Sequence, residues 1–194
     1  IRVTEINTAN MMPIAEKIAQ ALNVVLSPEE RAGLRRKPTE NIEAYKLCAL
    51  GRWFFDKRTD EDCEKAIRSY QSAIDLDPNY ALAYSGLADV HAFMSQSDLM
   101  SAGAKAREAA QRALALDDSL AEAHASLAEI KLEVDWDFEG AEREFKAALS
   151  LDPSYATARH WYGRFLTLIL GRHEEGLAEL ERARDLNPTD LSVN

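Results

Sequence analysis

A small residue recurs along this chain with the same partners at the same distances, and this repeat constrains the fold more than any other feature. An alanine stands seven places after the small residue, and a helix-stopping site stands twelve places after it. The four copies are Ala66, Ala73 and Pro78; Ala106, Ala113 and Asp118; Ala141, Ala148 and Pro153; and Gly176, Ala183 and Pro188. Self-similarity of fixed period indicates stacked units, because one unit cannot bury its apolar face alone.

The spacing of apolar residues within each copy predicts an amphipathic helix. Apolar or small groups fall at positions i, i+4, i+7 and i+10, which share one face of a helix with 3.6 residues per turn. The third copy illustrates the pattern with Ala141, Phe145, Ala148 and Leu151. Each of these helices should end near its stop, because proline cannot continue a helix.

A further helix should follow each stop directly, with a small residue near its middle. That residue is Gly51 in the first unit, followed by Ala88, Ala128 and Gly163 in the later ones. Glycine or alanine at this point lets two helix backbones approach closely. The sequence therefore predicts an all-α chain built of tight antiparallel helix pairs.

Charge and hydropathy exclude several classes of function. The net charge is −10, and the acidic excess falls on residues 61–194, so we expect no nucleic-acid partner, since phosphate binding needs clustered Lys and Arg. No apolar run approaches the roughly 18 residues that cross a bilayer, and the longest, Phe165 to Leu170, is interpreted as buried helix. A basic cluster is interpreted as a solvated linker and comprises Arg31, Arg35, Arg36 and Lys37.

No pattern points to catalysis, so we expect neither an enzyme nor a cofactor or metal site. The chain has no Gly-x-Ser-x-Gly motif, and its four histidines lack the helical spacing of a shared metal site. Asp135 and Asp137 imitate the start of a calcium loop, but Lys146 stands where a closing glutamate belongs. Asp137 is therefore interpreted as a helix N-cap. Cys48 and Cys63 are expected to be unpaired, since they fall on different helices of one pair and at different heights.

The repeats resemble the tetratricopeptide repeat family, whose helix-turn-helix units carry Leu-Gly, aromatic, alanine and proline positions in this order. The resemblance covers residues 42–188 and implies a right-handed superhelical solenoid of four antiparallel helix pairs. The second unit departs from the pattern with Ala110 in place of the aromatic residue and Asp118 in place of the proline. Its closing turn is therefore expected to be looser than the others.

Several runs resemble one bacterial branch of this family. They are residues 39–45, 77–89, 135–137 and 160–163. In that branch the repeats follow a TolB-like module and an output domain, often a winged-helix transcription activation domain and sometimes an adenylate cyclase. The resemblance implies a cytoplasmic fragment of a larger bacterial regulatory protein. It divides the chain into a joining helix and linker at 1–41, repeats at 42–188 and the truncated start of a following or capping helix at 189–194.

Stacks of this family curl so that the first helix of each unit lines an inner groove that binds peptides. Carried over position by position, the resemblance implies a partner-binding groove of Arg52, Phe55, Ser85, Asp89, Phe93, Glu122, Glu129, Glu133, His160 and Arg164, together with Cys48 and Thr167. Central acidic residues favour a basic or amphipathic protein or peptide, because complementary charge raises the encounter rate. The alternative is a solvated face that binds nothing.

Two further alternatives stay open. The chain is either a peptide-binding scaffold or an oligomerisation or signal-relay segment of a transcriptional regulator or cyclase. An uncovered apolar face on the last pair, which includes Leu177 and Leu180, fits a homo-oligomer. The longest turn within a pair, around Ser95 to Gly103, is interpreted as a surface loop, with ordering on a partner as the alternative.

Overall fold

A computed structural model describes residues 38–94 and 99–188. These residues form eight α-helices, and no strand occurs among them. The helices are α1 (Ile42–Phe55), α2 (Asp60–Leu76), α3 (Ala81–Met94), α4 (Leu99–Leu116), α5 (Ala121–Glu133), α6 (Phe138–Leu151), α7 (Ala156–Arg164) and α8 (His173–Leu186). The joining helix expected before residue 38, the basic cluster and the segment 189–194 lie outside the described residues.

The helices pack as pairs that follow one another along the chain. The pairs are α1 with α2, α3 with α4, α5 with α6 and α7 with α8, and the second helix of each pair also contacts the first helix of the next. The first helices contact one another in turn, from α1 to α3 to α5 to α7. The predicted all-α solenoid of helix pairs is confirmed, and none of the described helices is long and apolar enough to cross a membrane.

Side-chain caps set several helix boundaries. Asn41 precedes α1, and its Oδ1 accepts hydrogen bonds from the backbone N–H groups of Glu43 and Ala44 at 3.0 and 3.1 Å. Asp137 precedes α6, and its Oδ1 accepts the backbone N–H of Gly140 at 2.9 Å. Such caps satisfy donors that have no partner within the helix. The predicted N-cap role of Asp137 is confirmed.

The turns between pairs share one hydrogen-bond pattern, whether or not they contain proline. The N–H of Leu120 reaches the Asp117 carbonyl at 3.3 Å, much as Tyr80 and Tyr155 reach their own aspartates at 3.1 and 3.2 Å. The Asp117 carboxylate also accepts from the backbone and the hydroxyl of Ser119. The expectation of a looser turn at Asp118 is therefore wrong, because the aspartate before it closes the turn and proline is not required.

One tyrosine ring holds the first two pairs together. An added Cβ at Gly51 would lie 3.0 Å from ring carbons of Tyr70, and one at Gly86 would overlap the same ring. The ring thus lies against bare backbone of both α1 and α3, and only 4 % of Tyr70 is exposed. The prediction that a small residue permits close approach is confirmed at Gly51, whereas Gly86 was not singled out from the sequence.

The last pair is joined by direct backbone contact. An added Cβ at Gly163 would lie 2.9 Å from the carbonyl oxygen of Gly176, and one at Gly176 would lie 2.8 Å from the carbonyl oxygen of Gly163. After Arg164, α7 continues as a π-helical turn, Phe165–Ile169. Phe165 and Leu166 are buried, but Leu168 and Ile169 are 70 % and 50 % exposed. The interpretation of this run as buried helix therefore holds for its first half only.

The predicted long loop at Ser95 to Gly103 is partly wrong. Residues 99–103 form the first turns of α4, and residues 95–98 lie outside the described part. Helix formation here has a packing reason, since Ala102 is buried and a Cβ at Gly103 would lie 2.8 Å from the side chain of Val134. The turn inside the first pair is also short, and it places Arg58 in a left-handed conformation with φ of 56°.

Replacing Gly176 by alanine should destabilise the fold by about 1–3 kcal/mol, because the new methyl would overlap backbone atoms of α7. The free energy of unfolding from urea denaturation measures the effect. Gly171→Ala is the matched control, since φ there is +67° but nothing lies within 4 Å of the new Cβ. In Gly171→Ala, backbone strain alone should lower the free energy of unfolding by about 1 kcal/mol. A Gly176→Ala protein as stable as the wild type would contradict the close packing.

Candidate functional site

A groove runs along the first helices of the pairs, and one part of it is a pocket of about 230 Å³. We call it the polar pocket; its lining residues are Phe55, Arg58, Asp89, Ala92, Phe93, Glu129, Glu133, His160, Trp161 and Arg164. Seven of the ten residues predicted for the groove are in this set. The sequence analysis did not predict Arg58, Ala92 or Trp161. Arg58 lies in the turn after α1, and the pattern used for the prediction covers only the first helices of the pairs.

The other three predicted residues are Arg52 on α1, Ser85 on α3 and Glu122 on α5. None of them lines the polar pocket. Ser85 is 1 % exposed, and its Oγ lies 3.1 Å from the Oγ of Ser126. Arg52 lies within electrostatic range of Asp89 and Glu122, and of the phenol of Tyr155. Ser85 therefore cannot meet a partner directly, whereas Arg52 and Glu122 extend the charged groove beyond the polar pocket. Cys48 is also buried, so it does not line a free surface.

A chain of hydroxyl and carboxyl groups crosses the base of the groove. The Oγ of Ser126 lies 2.5 Å from Asp89 Oδ1 and 2.8 Å from the backbone carbonyl of Glu122. A serine hydroxyl carries a single proton, so it cannot donate to both oxygens. The hydroxyl therefore donates to one of these two oxygens at a time, and the hydroxyl of Ser85 lies beside it.

Burial makes the charged forms of two groove carboxyl groups unfavourable. It raises the pKa of Asp89 to about 7, although the Ser126 hydrogen bond and the charge of Arg52 oppose the shift. It raises the pKa of Glu129 to about 8, and the neighbouring charge of Glu133 adds to that shift while Arg164 opposes it. Two of the four acids predicted to make the groove acidic are thus partly protonated near neutral pH.

Arginines further offset the acidic character expected of the groove. Arg52 and Arg58 act on Asp89 from the α1 side, and Arg164 acts on Glu129 from α7. The opposing negative charge comes from Glu122, which acts on Asp89, and from Glu133, which acts on Glu129. The groove therefore presents mixed charge, with arginines beside its acidic residues.

An apolar pocket of about 290 Å³ adjoins the polar pocket. Its apolar lining consists of Leu132, Trp136, Phe138, Trp161, Phe165, Leu168 and Ile169. Glu129, Glu133, Trp161 and Arg164 line both pockets, so the two are halves of one groove. Apart from Glu129, Glu133 and Arg164, the residues of this apolar half were not predicted.

The π-helical turn explains why the sequence missed Leu168 and Ile169. A π turn adds a residue relative to the 3.6-residue repeat and rotates the residues after it about the helix axis. Thr167, predicted to face the groove, instead points at α8, where its Oγ1 occupies the place that a Cβ on Gly176 would take. Placing Thr167 in the groove was therefore wrong, and Leu168 and Ile169 lie there instead.

The described residues bear on two kinds of chemical site, a metal cluster and a reactive thiol. Nowhere among residues 38–94 and 99–188 do three or more His, Cys, Asp or Glu side chains gather as a metal site would require. Cys48 and Cys63 are free and buried, and burial raises the pKa of each thiol, which disfavours the reactive thiolate. His173 begins α8 and is exposed.

Glu129→Gln should weaken the pH dependence of stability. Because the folded-state pKa of Glu129 lies near 8, above its unfolded value of 4.5, the folded protein binds the extra proton and loses stability as pH rises between these values. Glutamine removes that loss. We expect the free energy of unfolding of Glu129→Gln to exceed that of the wild type by about 1 kcal/mol at pH 8.5, after discounting for partial exposure. At pH 4.5 the two proteins should be almost equally stable.

Urea unfolding at both pH values measures this effect, and Glu181→Gln, at an exposed site on α8, is the control. The control should keep the wild-type slope of stability against pH. Equal slopes for Glu129→Gln and the wild type would show that the Glu129 carboxyl titrates normally.

Comparison with known proteins agrees with this architecture. A family model described as TPR repeat matches residues 61–94, and one described as Tetratricopeptide repeat matches residues 137–190. Tetratricopeptide repeat protein 37 of Xenopus laevis is 27% identical over 158 residues, which are 81% of this chain and 10% of that protein. The chain thus spans about a tenth of the length of this curated relative.

Solved structures share the fold. A thermophilic TPR protein of Thermus thermophilus has a TM-score of 0.64 at 18% identity, with 96% of this chain and 95% of that chain covered. The first TPR domain of the human RPAP3 protein has a TM-score of 0.51 at 17% identity, with 74% and 96% covered. Repeats of this kind are typical scaffolds for protein–protein interaction, with a concave surface formed by stacking. Tetratricopeptide repeat models thus match residues 61–94 and 137–190, and the described residues have the fold of a tetratricopeptide-like solenoid.

Proposed function

We propose that this chain is a non-catalytic scaffold that holds a segment of a partner protein in the groove along α1, α3, α5 and α7. The observation that carries the proposal is the continuity of the polar and apolar pockets, which share Glu129, Glu133, Trp161 and Arg164. A groove with an apolar half and a charged half fits an extended or helical peptide, because peptide recognition combines apolar anchors with polar positioning groups.

The two halves favour an amphipathic partner over a purely basic one. The arginines Arg52, Arg58 and Arg164 offset the groove acids, and burial holds part of that acidity in protonated form. A cationic group of the partner would pair with these carboxyl groups only after they lose their protons. Its affinity would therefore fall as pH falls. An apolar side chain meets no such cost in the neighbouring pocket, since burying apolar surface is favourable by about 25 cal/mol per Å².

The sequence resemblance supports a wider setting for this groove. We propose that the repeats at 42–188 belong to a larger bacterial regulatory protein in the cytoplasm, joined through residues 1–41 to a transcription activation or cyclase domain. The groove would then connect that output domain with a partner. The segment at 189–194 is proposed to begin a following or capping helix.

Self-association is a second candidate function, supported by the outer face of α8. Leu177 there is 54 % exposed. Leu180, expected to share this face, instead packs against Gly163 within the pair. The uncovered apolar area is therefore smaller than the sequence indicated, which favours the peptide-binding candidate.

Charge reversal in the groove tests the binding proposal. Peptides of twelve residues selected from a displayed random library by the wild-type chain should bind at least about tenfold more weakly after Glu122, Glu129 and Glu133 are changed to lysine, because groove charges position the ligand. Fluorescence anisotropy with the selected peptides measures the affinity.

The control for that test reverses exposed acids on the second helices of the pairs, Glu64, Glu174 and Glu181. These variants change the net charge equally but leave the groove intact. Equal losses in both triple variants, or none in the groove variant, would refute a binding role for the groove.

Leu177→Glu tests the second candidate. If α8 pairs with another copy, light scattering should give a mass that rises with concentration for the wild type and stays monomeric for the variant, because a buried unpaired charge disfavours the interface. A wild-type mass that is monomeric at all concentrations would reject self-association through α8.

A further inference from the structure

The apolar half of the groove contains large apolar side chains that the fold leaves in contact with solvent. Trp136 is 72 % exposed and Leu168 is 70 % exposed, and both line the 290 Å³ pocket. Their exposure is costly in water, and contiguous apolar surface of this kind marks sites that contact other molecules. Packing among the described residues does not account for the placement of these two side chains.

The turn between α5 and α6 holds Trp136 in place at this pocket. Its φ is 55°, a left-handed conformation that costs a residue with a Cβ roughly 1–2 kcal/mol. Neighbours fix the turn on both sides, through an ion pair of Arg107 with Asp135 and one of Lys131 with Asp137. The Asp137 N–H also donates to the Lys131 carbonyl at 2.8 Å. Backbone strain of this kind persists only where surrounding contacts impose it.

Packed aromatic rings form the floor of the pocket. Phe165 is 1 % exposed, and its ring centroid lies 6.4 Å from that of Phe138 and 6.0 Å from that of Phe145. The Trp136 ring lies 6.1 Å from Phe138 and extends this array toward solvent. The π-helical turn is closed by a hydrogen bond from the Leu170 N–H to the Phe165 carbonyl at 3.2 Å, which fixes the wall opposite Trp136.

The size and rim of the pocket define what fits. An apolar cavity of about 150 Å³ holds a benzene molecule, so a pocket of about 290 Å³ has room for the side chain of leucine, phenylalanine or tryptophan. Glu129 and Glu133 project from α5 at the border with the polar pocket. On a helical ligand, side chains three or four residues apart lie about 5–6 Å from each other. One turn of helix therefore reaches both an apolar anchor position and these carboxyl groups.

We propose that the apolar pocket is the anchor site for one bulky apolar side chain of a partner's amphipathic helix, and that Glu129 and Glu133 receive a lysine or arginine three or four residues from that anchor. The inference rests on the proposed binding function and gives its partner a stated chemistry. Complementary charge decides the register of the ligand, because an acidic residue in place of the cation would face Glu133. The anchor supplies most of the affinity, as buried aromatic contacts do at other interfaces.

The test begins with the twelve-residue peptides selected by the wild-type chain. Their enriched pattern should be a leucine, phenylalanine or tryptophan followed or preceded by Lys or Arg at a spacing of three or four. Trp136→Ala and Leu168→Ser should each weaken binding of these peptides by at least about tenfold. The two substitutions lie on different elements, so one variant can still test the pocket if the other does not fold. Circular dichroism checks that both variants stay helical.

Trp53→Ala is the matched control. Trp53 is 55 % exposed on α1, its ring centroid lies 3.6 Å from the Lys57 ammonium, and it lines neither pocket. Its removal should change the affinity less than about twofold, within the range of contacts at the edge of an interface. Exchange of the peptide's apolar residue for serine should weaken binding to the wild type strongly but to Trp136→Ala only slightly, since the two changes remove one contact.

Three outcomes would overturn the proposal. If selected peptides bind Trp136→Ala and Leu168→Ser as tightly as the wild type but lose affinity on groove charge reversal, the binding function stands and the anchor site is wrong. If no peptide is enriched over a resin without protein, the proposed binding function and the anchor site are both wrong. If Trp136→Ala instead abolishes a concentration-dependent mass, the pocket is covered by a second copy of this chain.

Discussion

Close contact between helix backbones is the constraint on which the rest of the structure depends. The Tyr70 ring lies on bare backbone at Gly51 and Gly86, and across the last pair a Cβ on either Gly163 or Gly176 would crowd the carbonyl oxygen of the other. Neighbouring helices approach this closely only where a side chain is absent. Each pair can then cover the apolar face of the next, and stacking in one direction brings α1, α3, α5 and α7 side by side.

That arrangement explains why polar groups collect in the groove and why their protonation is unusual. Residues on the first helices that do not face a neighbouring helix point into a concave surface, where solvent is limited. Asp89 and Glu129 thereby lose hydration, which raises the pKa of both carboxyl groups. The same geometry draws Arg58 and Arg164 toward these carboxyl groups, so the charge of the groove is a property of packing more than of composition.

The two ends of the groove differ because one helix departs from regular geometry. The π-helical turn Phe165–Ile169 turns Thr167 toward α8 and leaves Leu168 beside Trp136. In the first two pairs, regular helices present charged and aromatic groups such as Asp89 and Phe93 instead. A surface with a charged half and an apolar half results, and this asymmetry gives a bound segment a direction and a register.

The fixed spacing of small residues and helix stops was sufficient to determine the helix pairs, because the apolar period and the turn chemistry are local properties of the chain. Seven of the residues it predicted for the groove line one pocket, since regular helices carry equivalent positions to equivalent places. The tertiary structure alone decided the rest. Arg58 enters the groove from a turn with left-handed backbone, the apolar pocket depends on a π turn that shifts the helical register, and the protonation of Asp89 and Glu129 depends on burial by residues distant in sequence. The two irregular turns are departures from the repeat, and the burial involves neighbouring pairs, so a pattern shared by all the repeats encodes none of these features.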